Sequence, residues 1–286
     1  MDIIGKRKIW MSISTVLIII GLISLLTQGL NLGIDFIGGT IIEFGFEDRV
    51  ETREINEILA EFYLEERSVV QQVEDSGILI RTDELEHEEL TNLQNRVQEE
   101  FPTATMLRTD VVGPTIGQEL SRGALLALLV AAIAIVIYIS VRFEFKFAMA
   151  AIIALLHDVL IVVGAFSILG RQVNQPLIAA LLTIIGYSIN DTIVIFDRIR
   201  EKLNFASRKE TFEESANGAV VETLPRSINT SITTLLPILA ILFLGGTTIQ
   251  NFMIALLVGM LAGTYSSIFV ASPVLVEWTN RNEAKA

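Results

Sequence analysis

Four ionisable residues stand inside or at the edge of long apolar runs of this sequence: His157, Asp158, Asp191 and Arg226. A charge at the centre of a bilayer costs at least about 2.5–3.5 kcal/mol, so in a membrane such residues mark ion or substrate pathways. Asp191 comes about five residues before the end of the run Leu177–Phe196, and Arg226 stands just ahead of the run Ile228–Leu244. If those runs form neighbouring helices, the two side chains reach similar depth and can pair. Arg226 shares a helical face with Thr230 and Thr233, which puts hydroxyls beside the guanidinium, and Asn190 precedes the aspartate. A carboxylate so placed stays ionised while the guanidinium is near and takes up a proton when left alone in a dry site. The alternative is a static ion pair that only fixes helix packing.

His157 and Asp158 fall near the middle of the run Phe147–Leu169. Adjacent residues on a helix point about 100° apart, so they are not expected to build one compact site by themselves. Structural hydrogen bonding and proton relay both fit them. Asp197, Arg198 and Arg200 follow the fourth run and belong at the surface, in water or among lipid headgroups. Small residues mark a further contact: Gly259 and Gly263 form a G-x-x-x-G that permits close helix packing, with Thr264, Ser266 and Ser267 nearby. Pro237, near Ser231, Thr233 and Thr234, predicts a kink.

Enzyme motifs are missing. The sequence has no G-x-S-x-G, H-E-x-x-H, Walker A or G-x-G-x-x-G pattern, and Gly186–Asp191 lacks the Gly-x-Gly-Asp of intramembrane aspartyl proteases. With no cysteine, thiolate–metal and disulfide chemistry are excluded. No enzyme activity, metal or cofactor is expected.

The elements that would position these residues follow from composition. Of 286 residues 51% are hydrophobic, the mean hydropathy is +0.56, and the apolar residues cluster in blocks about as long as a helix needs to cross roughly 30 Å of hydrocarbon. Six such blocks are expected: Ile9–Thr27, Ala124–Val141, Phe147–Leu169, Leu177–Phe196, Ile228–Leu244 and Phe252–Val276. The first is too long for a signal-peptide core and lacks a small-residue cleavage site. Basic residues collect at Lys6–Lys8, Arg142–Lys146, the predicted loop 197–226 and the tail 277–286, all on one side if the helices alternate. By the positive-inside rule both termini are cytoplasmic, in a cell membrane.

Residues 29–121 then lie outside the cell membrane. They hold 21 Asp and Glu against six Arg, which accounts for the net charge of −12 of the whole chain. The periodicity predicts a strand at Thr40–Phe46, a helix at Thr52–Glu65, strands at Ser68–Val73 and Gly77–Thr82 joined through Glu74-Asp75-Ser76, a helix at His87–Phe101 and a strand at Thr105–Val112. This βαββαβ order predicts an α+β ferredoxin-like domain between the first two spans, with the bundle of the other five at 122–276. The acidity reads as a solvated surface and argues against nucleic-acid binding.

Several longer runs carry a resemblance. Leu32–Thr40, with Asp35, Gly38 and Gly39; Leu156–Val159; Ile185–Thr192 with Asn190, continuing to Asp197 and Arg198; Thr223–Ile228; Phe243–Gly246; and Gly259–Pro273 all resemble the SecD/SecF protein-export family. The resemblance covers essentially the whole chain. It implies a partner, SecD, of similar architecture, related to the resistance–nodulation–division transporters, and supplying half of the ion path. It also implies assistance to the SecYEG channel and the SecA motor, with YajC as a further candidate partner, in which a proton or sodium gradient helps pull a translocating preprotein outward. Asp191 and Arg226 match the family's essential membrane aspartate and arginine, and Thr230 a threonine near that arginine. Ser227 stands where many relatives have threonine. A stand-alone ion-coupled exporter of small or lipidic substrates is the competing reading. Besides these proteins, the implied surroundings are membrane lipid.

Overall fold

Inside hydrocarbon no water is present to bond exposed backbone groups, so apolar runs of this length must close their hydrogen bonds as helices. The computed structural model describes residues 1–73, 76–205, 210–246 and 249–283. In chain order its elements are α1 (Arg7–Thr27), α2 (Ile34–Ile37), β1 (Gly39–Gly45), α3 (Thr52–Glu61), β2 (Val69–Val73), β3 (Gly77–Thr82), α4 (His87–Glu100), β4 (Thr105–Val112), α5 (Pro114–Arg142), α6 (Phe145–Ile168), α7 (Gln175–Phe205), α8 (Phe212–Leu244), α9 (Gln250–Ser266) and α10 (Ser272–Glu283). A single turn of π-helix, Ser267–Ala271, joins α9 to α10. Among the described residues six helical stretches are long and apolar enough to cross a membrane: α1, α5, α6, α7, α8 and the continuous stretch Gln250–Arg281.

Two compact units separate, Met1–Asn31 with Leu126–Ala286, and Leu32–Leu125. The smaller unit holds an antiparallel four-stranded sheet in the order β2-β3-β1-β4. Strand β1 lies in its middle and buries Ile42 and Phe44 against Ile55 and Leu59 of α3 and Leu93 and Val97 of α4. Both helices open with a capping box, Glu51 with Glu54 and Glu86 with Glu89, which satisfies amides that a helix start leaves unbonded. Arg96 of α4 grips Glu61 of α3 through two bonds of 2.9 Å, and that hydrogen bonding holds the Glu61 carboxyl below its usual range. The helix expected at Thr52–Glu65 stops at Glu61. There Leu64 N bonds Leu59 O at 2.9 Å and Tyr63 N bonds Ala60 O at 3.1 Å, with Tyr63 at φ +59°, a Schellman closure that buries Leu64. Of the expected connection at Glu74-Asp75-Ser76, Glu74 and Asp75 lie outside the described residues, as do the basic residues Arg208, Lys209 and Lys285.

In the larger unit α6, α7, α9 and the π turn form the centre, with α1 against α6 and α8 against α7 and α9. Backbones approach most closely where α1 crosses α6. A methyl added to Gly21 would lie 3.1 Å from Gly164 Cα, and one added to Gly164 would lie 2.9 Å from Gly21 Cα. One turn further on, Ser24 and Ser167 share a 2.8 Å hydrogen bond. This small-residue crossing escapes the sequence reading because neither glycine belongs to a G-x-x-x-G motif.

One expectation changes, and two features are added. The segment 197–226 is helical at both ends rather than a loop: α7 runs to Phe205 and α8 begins at Phe212. Beyond the apolar run both helices continue because their charges pair across: Glu222 of α8 takes Arg198 at 2.7 Å and Lys202 at 2.6 Å from α7. Pro237, where a kink is expected, and Pro225 both lie inside α8; hydroxyls of Thr233 and Thr234 bond carbonyls of the preceding turn. The sixth span, in turn, carries the π turn that periodicity does not reveal.

Replacing Gly164 with leucine forces α1 away from α6, an overpacking that costs about 1–3 kcal/mol. Denaturation of the purified protein in detergent should register that loss, and a Gly21→Ala variant should show a smaller one.

Candidate functional site

Asp158 of α6 is fully buried and tied to two other helices. Its Oδ2 accepts from Ser188 Oγ of α7 at 2.6 Å and from Ser266 Oγ of α9 at 2.9 Å. Its Oδ1 lies 3.0 Å from His157 Nδ1. His157 and Asp158 therefore do form one compact group, contrary to the expectation from their 100° offset. The side chains supply what the Cα directions do not: the imidazole is long enough to lean along the helix and meet the neighbouring carboxylate. The ring also stacks on Tyr265, with centroids 5.9 Å apart and planes 20° apart. Tyr265 in turn donates to Trp10 O of α1 at 2.9 Å. His157 Nε2 is buried and has no hydrogen-bond partner.

The network continues through the π turn. Thr192 of α7 and Ser267 lie 2.8 Å apart through their hydroxyls, and Ser267 Oγ also reaches Ser188 O at 3.2 Å. The wider turn is partly satisfied by Ser272 Oγ, which donates to Ser267 O at 3.0 Å. A π turn leaves local carbonyls free for such side chains, which is one reason these turns recur at functional sites.

Asp191 lies one turn beyond Ser188 on the same helix and is 4% exposed. Its surroundings differ sharply from those of Asp158. Ser227 and the Arg226 guanidinium of α8 are its polar neighbours, and Ser227 lies near enough to donate, yet among the described residues no well-aligned hydrogen bond closes on Asp191 Oδ2 or on Ser227 Oγ. Among the described residues no ion pair within 4.0 Å joins Asp191 to Arg226. Arg226 itself faces outward on α8, while Ser227, the next residue, is buried toward α7. Thr230 is half-buried one turn along, and Thr233 is exposed. The sequence places the aspartate and arginine at matching depth; the structure adds Ser227 as the residue that faces the carboxylate. Asn190 is exposed.

Other singled-out residues have structural work. Asp197 is half-exposed, 3.7 Å from Arg142 and 3.9 Å from Arg200, and Arg198 pairs with Glu201 and Glu222. Gly259 and Gly263 of α9 lie against Ile184 and Ser188 of α7: a methyl at Gly259 would overlap the Ile184 side chain, and one at Gly263 would lie 2.9 Å from Ser188 Cβ. In the smaller unit Asp35 sits in the first turn of α2, and Gly38 and Gly39 follow at φ +81° and +132°. A side chain on Gly39 would lie 2.6 Å from Thr82 O, so this turn into β1 admits only glycine.

These features define a class: a multi-pass membrane protein whose buried carboxylates sit at helix–helix contacts in the bundle core. Comparison with known proteins narrows it. The family model described as "Protein export membrane protein SecD/SecF, C-terminal" matches residues 92–281, and that of the "SecD/SecF GG Motif" matches residues 23–48, which include the Gly38-Gly39 turn. The chain is 40% identical over 279 residues to the protein translocase subunit SecF of Sebaldella termitidis, covering 96% of this chain and 91% of that one. It is 42% identical over 264 residues to the protein translocase subunit SecDF of Thermus thermophilus, covering 90% of this chain and 36% of that one. The crystal structure of a Thermus SecDF, described as a translocon-associated membrane protein, superposes with a TM-score of 0.91 at 40% identity over 98% of this chain and 39% of that one. The chain belongs to the SecD/SecF family, and membership carries a role in protein export.

Ser188→Ala and Ser266→Ala each remove one donor from the same buried oxygen, Asp158 Oδ2. Each is expected to destabilise the solubilised protein by about 1–3 kcal/mol. Because the two share an acceptor, a double-mutant cycle read by thermal denaturation should show coupling rather than simple addition.

Proposed function

We propose that this chain is an accessory subunit of protein export that works with a SecD partner and draws on an ion gradient through Asp191. One observation carries the reading: Asp191 is buried in a membrane helix with one carboxylate oxygen unbonded, while the cation nearest in sequence depth, Arg226, stands outside ion-pair range on the outward face of the adjoining helix. An acceptor left open in a dry site is where a proton or small cation gains most by binding, and a guanidinium on a movable neighbour can compete with it. Asp158, with Oδ2 bonded to two hydroxyls and Oδ1 to His157, lacks that opening and holds the helices in place.

In this reading the antiparallel βαββαβ unit is a ferredoxin-like domain on the outer side of the cell membrane, and both termini are cytoplasmic by the distribution of basic residues. Relatives in which SecD and SecF are one chain support SecD as the partner. The half of the ion path contributed by that partner would meet the outward face of α8 that carries Arg226. The channel SecYEG, the motor SecA, YajC and the preprotein remain part of the proposal through the family alone. No catalytic step is assigned to the chain.

The decisive variant is Asp191→Asn, which keeps size and hydrogen bonding and loses the exchangeable charge. Inverted vesicles that carry the complex should lose stimulation of preprotein translocation by an imposed gradient and keep the ATP-driven step. Arg226→Lys should impair the same stimulation, because lysine lacks the planar fork that can hold a carboxylate and a hydroxyl together. A gradient response in Asp191→Asn equal to that of the parent would make Asp191 a packing residue.

A further inference from the structure

We propose that the groove between the start of α1 and α10 binds the headgroup of an anionic phospholipid. The groove encloses about 580 Å³. Arg7, Lys8 and Arg281 line it together with Glu277 and with apolar Met11 and Trp278.

The cations are unequally engaged. Arg7 is held by Glu213 at 2.7 Å and by Glu277 at 3.5 Å, and Arg281 by the same Glu277 at 3.1 Å. Lys8 forms no ion pair among the described residues and is exposed. Three cations thus share two carboxylates, and the unmatched one is exposed beside the apolar lining residues. A phosphodiester fits that remainder; a zwitterionic headgroup would bring a cation of its own against it.

Depth singles out a lipid over a soluble anion. Arg7 and Lys8 open α1 where its apolar run begins, and Trp278 lies where the last span gives way to polar sequence, the level at which indoles settle between hydrocarbon and headgroups. Half-buried Ile18 and exposed Leu22 continue the face of α1 that carries Met11, so acyl chains from a seated headgroup would run down an apolar surface. The seat is also preformed. Amides of Ile3 and Ile4 bond Asn217 Oδ1 at 2.8 and 3.1 Å, and the Trp10 ring meets Phe269 at 4.6 Å with the planes tilted by 45°, so the first turn of α1 is fixed against the bundle. Basic pockets between membrane helices at this level are suited to anionic lipid headgroups. A second hollow at the same end, lined by Asp2, Glu210, Glu213 and Glu214, is acidic and would repel them.

The chain has two tryptophans, so Trp10→Phe, which keeps an aromatic ring against Phe269, leaves Trp278 as the single reporter at the groove. The full-length variant is reconstituted in phosphatidylcholine vesicles with a minority of phosphatidylglycerol, and bromines are placed on the acyl chains of one lipid at a time at equal mole fraction. Phosphatidylglycerol should be about fivefold enriched beside Trp278, the factor expected from one unmatched basic residue at a membrane surface. Adding Lys8→Gln and Arg281→Gln should abolish the preference, and Lys8→Arg should keep it. Equal quenching by the two lipids, or a preference that survives the double glutamine variant, would overturn the assignment. So would a change of Trp278 emission on adding inorganic phosphate to the protein in detergent, since a seat for free anion needs no acyl chains.

Discussion

The Asp158 carboxylate is the contact on which the membrane bundle depends. In hydrocarbon an unpaired carboxylate is costly, and no water is at hand to relieve it, so its oxygens must find partners on other helices. They find hydroxyls on α7 and α9 and an imidazole on their own helix, and α6, α7 and α9 are thereby held at one depth and one rotation. The small residues around it follow from this. Gly263 lets α9 approach Ser188 closely enough for Ser266 to reach the acid, and the π turn rotates Ser267 toward Thr192. A larger residue at Gly263 would hold apart the very helices the carboxylate draws together.

Asp191 depends on that frame and departs from it. It stands one turn from Ser188, so the hydrogen bonds that set α7 also set its position, yet its own Oδ2 is left open. Two aspartates on adjoining helices of one apolar bundle therefore differ in the number of donors facing each. The first has its acceptors filled by side chains from three helices. The second has an acceptor to spare. On the proposed function one acid keeps the fold while the other changes state, because a change at Asp191 need not break the bonds that organise the core.

How much of this is legible from the residues depends on the scale of the signal. Six spans can be read because apolar blocks of membrane length are long and leave few alternatives. The strands and helices of residues 39–112 are read within a few residues, since periods of two and of 3.6 separate well over short amphipathic stretches; the early end of α3 needed the local hydrogen bonding of Tyr63 and Leu64. Asp158, Asp191 and Arg226 stand out by charge alone. Their partners do not. Ser188, Ser227 and Ser266 are ordinary serines in a chain rich in hydroxyls, and only tertiary packing decides which ones face an acid. The Gly21–Gly164 crossing likewise joins residues far apart in sequence, and single glycines in membrane helices carry too little pattern to pair. A π turn is a backbone event with no composition of its own.

Burial is unevenly shared among the six spans, and that asymmetry bears on what the bundle does. The core helices α6 and α9 bury more than half of their most apolar stretch within the chain, whereas α5 and α8 bury little of theirs. For α5, with Leu129, Ile133 and Ile137 outward, lipid alone is a sufficient neighbour, since the exposed residues are apolar. For α8 it is not. Its outward side carries Arg226 among Ile228 and Ile232, and a guanidinium on an apolar helix face must either extend to the headgroups or be met by polar groups from outside this chain. Extension to the headgroups would carry it away from Asp191; a polar surface packed on α8 would keep it at depth. On the proposed function the distance between the arginine and the aspartate is then governed by what covers α8, and that face, rather than the carboxylate itself, is where a partner would reach the bundle core.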